Sequence, residues 1–212
     1  MNLRIFKPIA AIMAALFAVA SIHAQEANTI DEGVVINGVK WATRNVGKPG
    51  TFVANPEDAG EFYQWNSKKG VATYIATWWN KKKSMFLNPT YGLIIKTDKA
   101  WDKANDPCPA GWRLPTWQEL KKLYVSDSEW TTRNGVKGQL FKSGDNTLFM
   151  YAAGVRNNSG KLEDKGSYGY YWSSSSYDNV DGCVLGFGYG GVYLRSVFGC
   201  DGFWYSCRCV AE

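Results

Sequence analysis

The only imidazole among the 212 residues is His23, and it lies in a segment that reads as a removable leader. Residues 1–24 open with Arg4 and Lys7, run through an apolar stretch from Ile9 to Ile22 and end on Ala24, a small residue before Gln25. The stretch falls short of the about 20 residues of a membrane helix, and no cysteine stands at the cut site. A chain starting at Gln25 has no histidine for general base work, for a Ser/His dyad or for a zinc ligand. Carboxylates, lysines and cysteines then remain. Glu57, Asp58 and Glu61 lie close together, and glycoside hydrolysis needs two carboxylates about 5–10 Å apart. Acids just after Asn55-Pro56, however, suit the first turn of a short helix. Asp102, Asp106, Asp145 and Asp164 lack the convergent spacing of an oxygen cage for a hard cation. The five cysteines leave at least one unpaired or shared between molecules. The expectation is a non-enzyme with no catalytic residue, no metal and no cofactor.

The elements that would position side chains are mostly strands. The composition, 45% hydrophobic, 15% aromatic and 20% charged, supports one ordinary globular core. A net charge of +5 is too mild to argue for nucleic acid. All 17 lysines lie at or before Lys165, after which Gly, Ser, Tyr, Phe, Cys and Val dominate. No Pro/Ser-rich linker divides the two halves, so residues 25–212 read as a single domain. Asn37-Gly38 between apolar runs signals a hairpin entering Trp41. Thr116 and Glu119 form a capping box for a helix carrying Trp117, Leu120 and Tyr124 on one face, with Leu123 beside them. Short strands follow over Gln139–Phe141, Leu148–Ala152, Tyr170–Ser173, Val184–Phe187, Val192–Leu194 and Phe203–Val210. Turns fall at Asn134-Gly135, Ser143-Gly144-Asp145-Asn146 and Asn157-Asn158-Ser159-Gly160. Helices first and antiparallel strands after give an α+β domain.

Four stretches together carry a family resemblance. They are 37–47 (NGVKWATRNVG), 56–66 (PEDAGEFYQWN), 105–116 (NDPCPAGWRLPT), and 169–175 (GYYWSSS) with the closing Arg208-Cys209-Val210. The chain resembles the Fibrobacter succinogenes major paralogous domain family of exported bacterial proteins, over nearly all of residues 25–212. Cys108-Pro109-Ala110-Gly111-Trp112-Arg113 is the most specific part. The resemblance implies a C-type lectin-like domain of few short helices and mostly antiparallel strands, whose molecular activity is largely unassigned. It does not bring calcium-dependent sugar binding, since the Glu-Pro-Asn or Gln-Pro-Asp loop and the Trp-Asn-Asp strand are missing and Asn88-Pro89 lacks the preceding acid. It also implies a bridge between Cys108 and Cys209, which both lie in matching segments. Such a bridge would close a loop worth about 4–5 kcal/mol in the chain-entropy model. Cys183 with Cys200 is a second candidate pair, while Cys207 and Cys209 are poorly placed to bond each other. Formylglycine-generating oxidases resemble the same fold class and use cysteines with copper. Cys200, Cys207 and Cys209 are soft ligands, but their spacing departs from that arrangement. The tryptophans 41, 65, 101, 112 and 172 read as packing, and Arg44 and Arg113 as structural partners of an acid. Lys81-Lys82-Lys83 after Trp78-Trp79 reads as a solvated loop.

From Tyr177 to Cys209 the chain has no Lys, Glu, Gln or Met. Four Tyr, three Phe, one Trp, seven Gly, three Asp, two Arg and four Cys fill most of it. Rigid aromatics among adaptable small residues is the mixture of antibody paratopes, and Tyr and Arg are typical hot-spot residues. The same gaps resemble a product of a diversity-generating retroelement, which randomises adenines in asparagine codons and cannot yield Lys, Glu, Gln, Met or Trp. Trp204 would then be fixed by the template. Leu185, Phe187, Cys207 and Cys209 are expected inward. Tyr177, Asp181, Tyr189, Tyr193, Arg195, Phe198, Asp201 and Phe203 are expected on a ligand face. The expected function is that of a secreted, periplasmic or cell-surface protein binding a protein or glycan through its last strands, with no membrane span once the leader is gone.

Overall fold

Asn37 and Gly38 take φ of 48° and 75°, the pair of positive values that a two-residue hairpin turn demands. They join β1 (Val34–Ile36) to β2 (Val39–Trp41). The computed structural model describes residues 30–71, 100–157, 159–176, 182–197 and 203–212. Residues 1–24, expected as a leader, Asn88-Pro89 and Lys81–Lys83 lie outside them. Glu32–Glu212 hold together as one compact unit.

Pro56-Glu57 makes a single turn, not a helix: Asp58 N–H donates to the Asn55 carbonyl at 3.1 Å, while Asp58 Oδ2 accepts from Asn55 N at 2.9 Å. The side chain of Asp58 satisfies the amide that a helix would have needed to cap. The chain continues through β3 (Phe62–Tyr63) and β4 (Gly70–Val71) to β5 (Trp112–Arg113).

Helix α1 (Trp117–Tyr124) starts as its sequence specifies. Glu119 N–H donates to Thr116 Oγ1 at 3.3 Å, and Thr116 N–H donates to Glu119 Oε2 at 2.7 Å. Arg113 forks onto the same carboxylate at 2.8 and 2.7 Å. Those hydrogen bonds outweigh the cost of burial and hold the Glu119 carboxyl below its ordinary range. Leu120 and Leu123 are fully buried, whereas Tyr124, expected on the inner face, is exposed.

After α1 the chain is β-rich. β6 (Asp127–Arg133), β7 (Val136–Ser143) and β8 (Asn146–Tyr151) form an antiparallel sheet, β6 and β7 turning at Asn134-Gly135 with φ of 46° and 82°. β9 (Val155–Arg156) pairs with β10 (Leu162–Glu163). β11 (Tyr168–Ser176), β12 (Gly182–Gly188) and β13 (Gly191–Val197) follow as an antiparallel meander.

The stretch 203–210, expected as one strand, is two. β14 (Tyr205–Ser206) lies in the large sheet and β15 (Val210–Ala211) in another. Between them the chain leaves regular pairing, its carbonyls at Cys207 and Cys209 accepting from Val46 N and Ala42 N. Arg208 turns inward there. Fully buried, it donates from Nε and Nη2 to Asn45 Oδ1 at 2.9 and 2.7 Å and from Nη1 to the Ala42 carbonyl at 3.1 Å.

The result is an α+β fold of mostly antiparallel strands. A four-stranded sheet runs β1-β2-β15-β5 and a six-stranded sheet β13-β12-β11-β14-β3-β4, with only β11 and β14 parallel in it. The large sheet is covered on both sides. One face packs Tyr171, Leu185 and Phe187 with α1, Phe141, Phe149 and the β1–β2 hairpin. The other packs Trp172, Val184, Tyr205, Cys207 and Cys209 with Trp101, Leu114 and Phe52.

Candidate functional site: an aromatic face on the last strands

Strand register decides which tail side chains meet. Gly186 of β12 stands opposite Tyr170 on one side and Tyr193 on the other, and Gly188 stands opposite Tyr168. Residues paired directly across a sheet share a face, so Tyr168, Tyr170 and Tyr193 project together, opposite to Tyr171, Leu185 and Phe187. Both glycines are covered. A Cβ on Gly186 would run into Cε2, Cζ and Oη of Tyr193, and one on Gly188 into Cδ1 and Cε1 of Tyr168. Each ring therefore lies down on bare backbone of the neighbouring strand, a close approach that only glycine permits.

Tyr170 and Tyr193 both stand opposite Gly186, and Tyr170 Oη donates to Asp164 Oδ2 at 3.5 Å. Burial above all, with Tyr193 and the nearby Asp164 charge, pushes the Tyr170 hydroxyl well above its usual ionisation range, so it stays protonated. Aromatic contacts extend the row: Tyr168 stacks on Tyr170 at 6.2 Å and 22°, Tyr170 meets Tyr205 at 5.4 Å, and Tyr205 lies nearly parallel to Phe203 at 6.3 Å and 6°.

Further along the same face the rings are interior. Trp172 sits 4.7 Å from Tyr205 and within 5.4 and 6.1 Å of Trp65 and Trp101, which themselves meet at 5.3 Å. Trp172 Nε1 donates to the Tyr63 carbonyl at 2.7 Å. The face thus grades from an anchored, hydrogen-bonded tryptophan cluster to an open edge at Tyr168, 42% exposed.

Of the eight side chains expected on a ligand face, four lie among the described residues. Tyr189, 88% exposed, is at the tip of the β12–β13 turn. Tyr193 and Arg195 stand two residues apart on β13, hence on one face, half-buried and exposed respectively. Phe203 is half-buried beside Tyr205. Tyr177, Asp181, Phe198 and Asp201 lie outside the described residues. Sequence reasoning did not pick out Tyr168, Tyr170 or Tyr205 for this face. Gly186 and Gly188, set within an apolar strand, were the available signal of a close cross-strand approach.

Within 177–209, β12 is buried at every residue from Gly182 to Gly188. Leu185 and Phe187 point inward as expected, but Val184 is buried on the opposite side. The outer side of β12 is covered at Gly186 by Tyr193 and at Gly188 by Tyr168, so these rings and not β12 itself form the surface there.

The groups that could do other chemistry are engaged structurally. Cys108 and Cys209 form a disulfide, S–S 2.07 Å, across 101 residues of sequence, so Cys209 is not a thiolate available to a metal. Cys207 is buried, and burial, followed by the Asp106 charge, pushes its thiol well above the usual range. The Cys183–Cys200 pairing involves Cys200, outside the described residues. Glu57 binds Arg133 at 2.8 Å and accepts from Asn134, and Asp58 closes its own turn. Burial raises the Glu61 carboxyl against the pull of Lys48. Arg113 pairs with Glu119 as expected, and Arg44 donates to the Val53 carbonyl at 3.2 Å with its guanidinium over the Phe52 ring. Among the described residues, no three His, Cys, Asp or Glu side chains converge as a metal site. Comparison of the chain with family models, with curated proteins and with solved structures finds no match to any of them.

Proposed function

We propose that the chain is an exported, non-enzymatic binding protein, related to the major paralogous domains it resembles. Its ligand, a protein or glycan, contacts the outer face of the last strands. The observation that carries this reading is the row Tyr168–Tyr170–Tyr193, laid over Gly186 and Gly188, with Arg195 and Phe203 at its borders. Aromatic rings held by neighbours offer large contact area at little entropy cost. The leader and the Cys108–Cys209 bridge suit an oxidising compartment.

Arrays of proteins and glycans test the proposal. Tyr193→Ala and Phe203→Ala should abolish wild-type binding at unchanged urea midpoints. Absence of any binding sensitive to these changes would make the chain a structural surface domain instead. The retroelement reading is tested in the coding DNA, where the codons of Val180, Cys183, Tyr189, Phe198 and Asp201 should all end in C or T. Sequencing the locus across strains should find variation confined to Val180–Cys207.

A further inference from the structure

The ligand class follows from how the tyrosines are held, given that the outer face is the ligand face. A tyrosine that stands up from a sheet acts as a knob for a partner's pocket; one that lies on glycine backbone presents the flat of its ring. Tyr193 over Gly186, with Cε2, Cζ and Oη nearest, and Tyr168 over Gly188, with Cδ1 and Cε1 nearest, fit the second kind. Their supporting glycines are two residues apart on β12, so the two flats lie about 7 Å apart along the strand direction. Tyr170, opposite Gly186 on β11, reaches Asp164 Oδ2 with its hydroxyl at 3.5 Å. The negative face of a π-system attracts weakly polarised C–H groups, and a pyranose ring presents such a flat, C–H-bearing side. Successive sugars of an extended chain offer that side repeatedly. Polar neighbours suit the rim of the same ligand: Asp164 accepts from hydroxyls, and exposed Arg195 donates to them.

We propose that this face binds a polysaccharide chain, with pyranose rings stacked on Tyr193 and Tyr168 and without a metal ion. The strip is open at the Tyr168 end, as a chain running past it requires.

Native gels containing laminarin, mannan or polygalacturonate, a neutral β-glucan, a neutral mannose polymer and an acidic polymer, test this directly. At least one should retard the wild-type protein, equally with and without EDTA. Tyr193→Leu and Tyr168→Leu, which keep apolar bulk but remove the ring, should each weaken retardation about tenfold. Tyr193→Phe keeps the flat and should stay within about threefold. Urea midpoints for each variant separate lost binding from lost folding. Retardation by none of the three polymers, retardation abolished by EDTA, or retardation indifferent to both leucine variants would overturn the proposal. If the same variants instead lose binding to an arrayed protein, the glycan assignment falls while the ligand face stands. If they change neither, both fall.

Discussion

β11, β12 and β13 present two faces made from alternate residues of the same strands, and the faces obey different rules. On the inner face Tyr171, Leu185 and Phe187 are almost wholly buried, and Tyr171 Oη donates to the Tyr151 carbonyl at 2.8 Å. On the outer face Tyr168, Tyr170 and Tyr193 are partly open, Tyr168 facing Tyr170 at 6.2 Å and Tyr170 donating to Asp164. Both faces use a glycine beneath an aromatic ring. Gly169 lies under Phe187 inside, and Gly186 under Tyr193 outside. The inner ring is locked by everything above it, whereas the outer ring is held by contact with backbone. One set of strands therefore carries a closed core on one side and a partly open aromatic row on the other.

The largest effect tests both faces together. Replacing Cys108 and Cys209 by serine frees the end of β15 from the segment before β5 and should cost about 4–5 kcal/mol in the chain-entropy model. Urea unfolding of oxidised and reduced protein checks the figure, and a loss below about 1 kcal/mol would mean the tail is held by packing alone. Next comes the inner face by itself. Phe187→Ala should cost about 3–5 kcal/mol, since the ring packs against Tyr171 at 5.7 Å and Phe141 at 6.2 Å with no room to collapse. Tyr168→Ala, one strand away on the outer face, should stay within about 1 kcal/mol. Equal losses from the two would erase the distinction between the faces.

Gly169→Ala and Gly186→Ala sharpen it with one methyl each. At Gly169 the new Cβ meets three atoms of the fully buried Phe187 ring, and overpacking of this kind costs about 1–3 kcal/mol. At Gly186 the nearest atoms belong to the far end of Tyr193, a half-buried ring that can swing away. The expected stability change there is under about 1 kcal/mol, because alanine also removes the backbone entropy cost of glycine. Its effect should appear in ligand binding, since the ring is lifted off its support.

How much of this was legible depends on whether the signal was local. Asn37-Gly38, Asn134-Gly135 and the Thr116–Glu119 box act over two to four residues, and each forms as read. The Cys108–Cys209 bridge came from a family resemblance, not from spacing. β6 escaped notice because Asp127–Arg133 is polar, its alternation marked only by Trp130; an edge strand takes its stability from pairing with β7 through the turn. The Arg208–Asn45 contact spans 163 residues, and nothing near Arg208 announces that it turns inward and divides the last strand. The outer face was half legible: composition pointed to Tyr193, Arg195 and Phe203, but only register adds Tyr168 and Tyr170.

The smallest effect concerns the helix that covers the inner face. Glu119 receives hydrogen bonds from Arg113 and Thr116 that lower its carboxyl despite burial. A carboxyl depressed in the folded state stabilises fully above its unfolded value, about 4.3, and that contribution disappears as pH falls through the folded value. Arg113 is 37% exposed, so solvent screening limits the pair to about 1 kcal/mol or less. Glu119→Gln keeps a capping partner for Thr116 but removes the titration. Urea midpoints of the variant should therefore vary less with pH below the ordinary carboxylate range than those of the wild type. Because α1 packs through Leu120 and Leu123 in the inner-face core, Glu119→Gln at neutral pH should leave ligand binding unchanged. A loss of binding there would mean that the two faces are coupled through β11–β13, and that the outer tyrosines depend on the core behind them as well as on the glycines beneath.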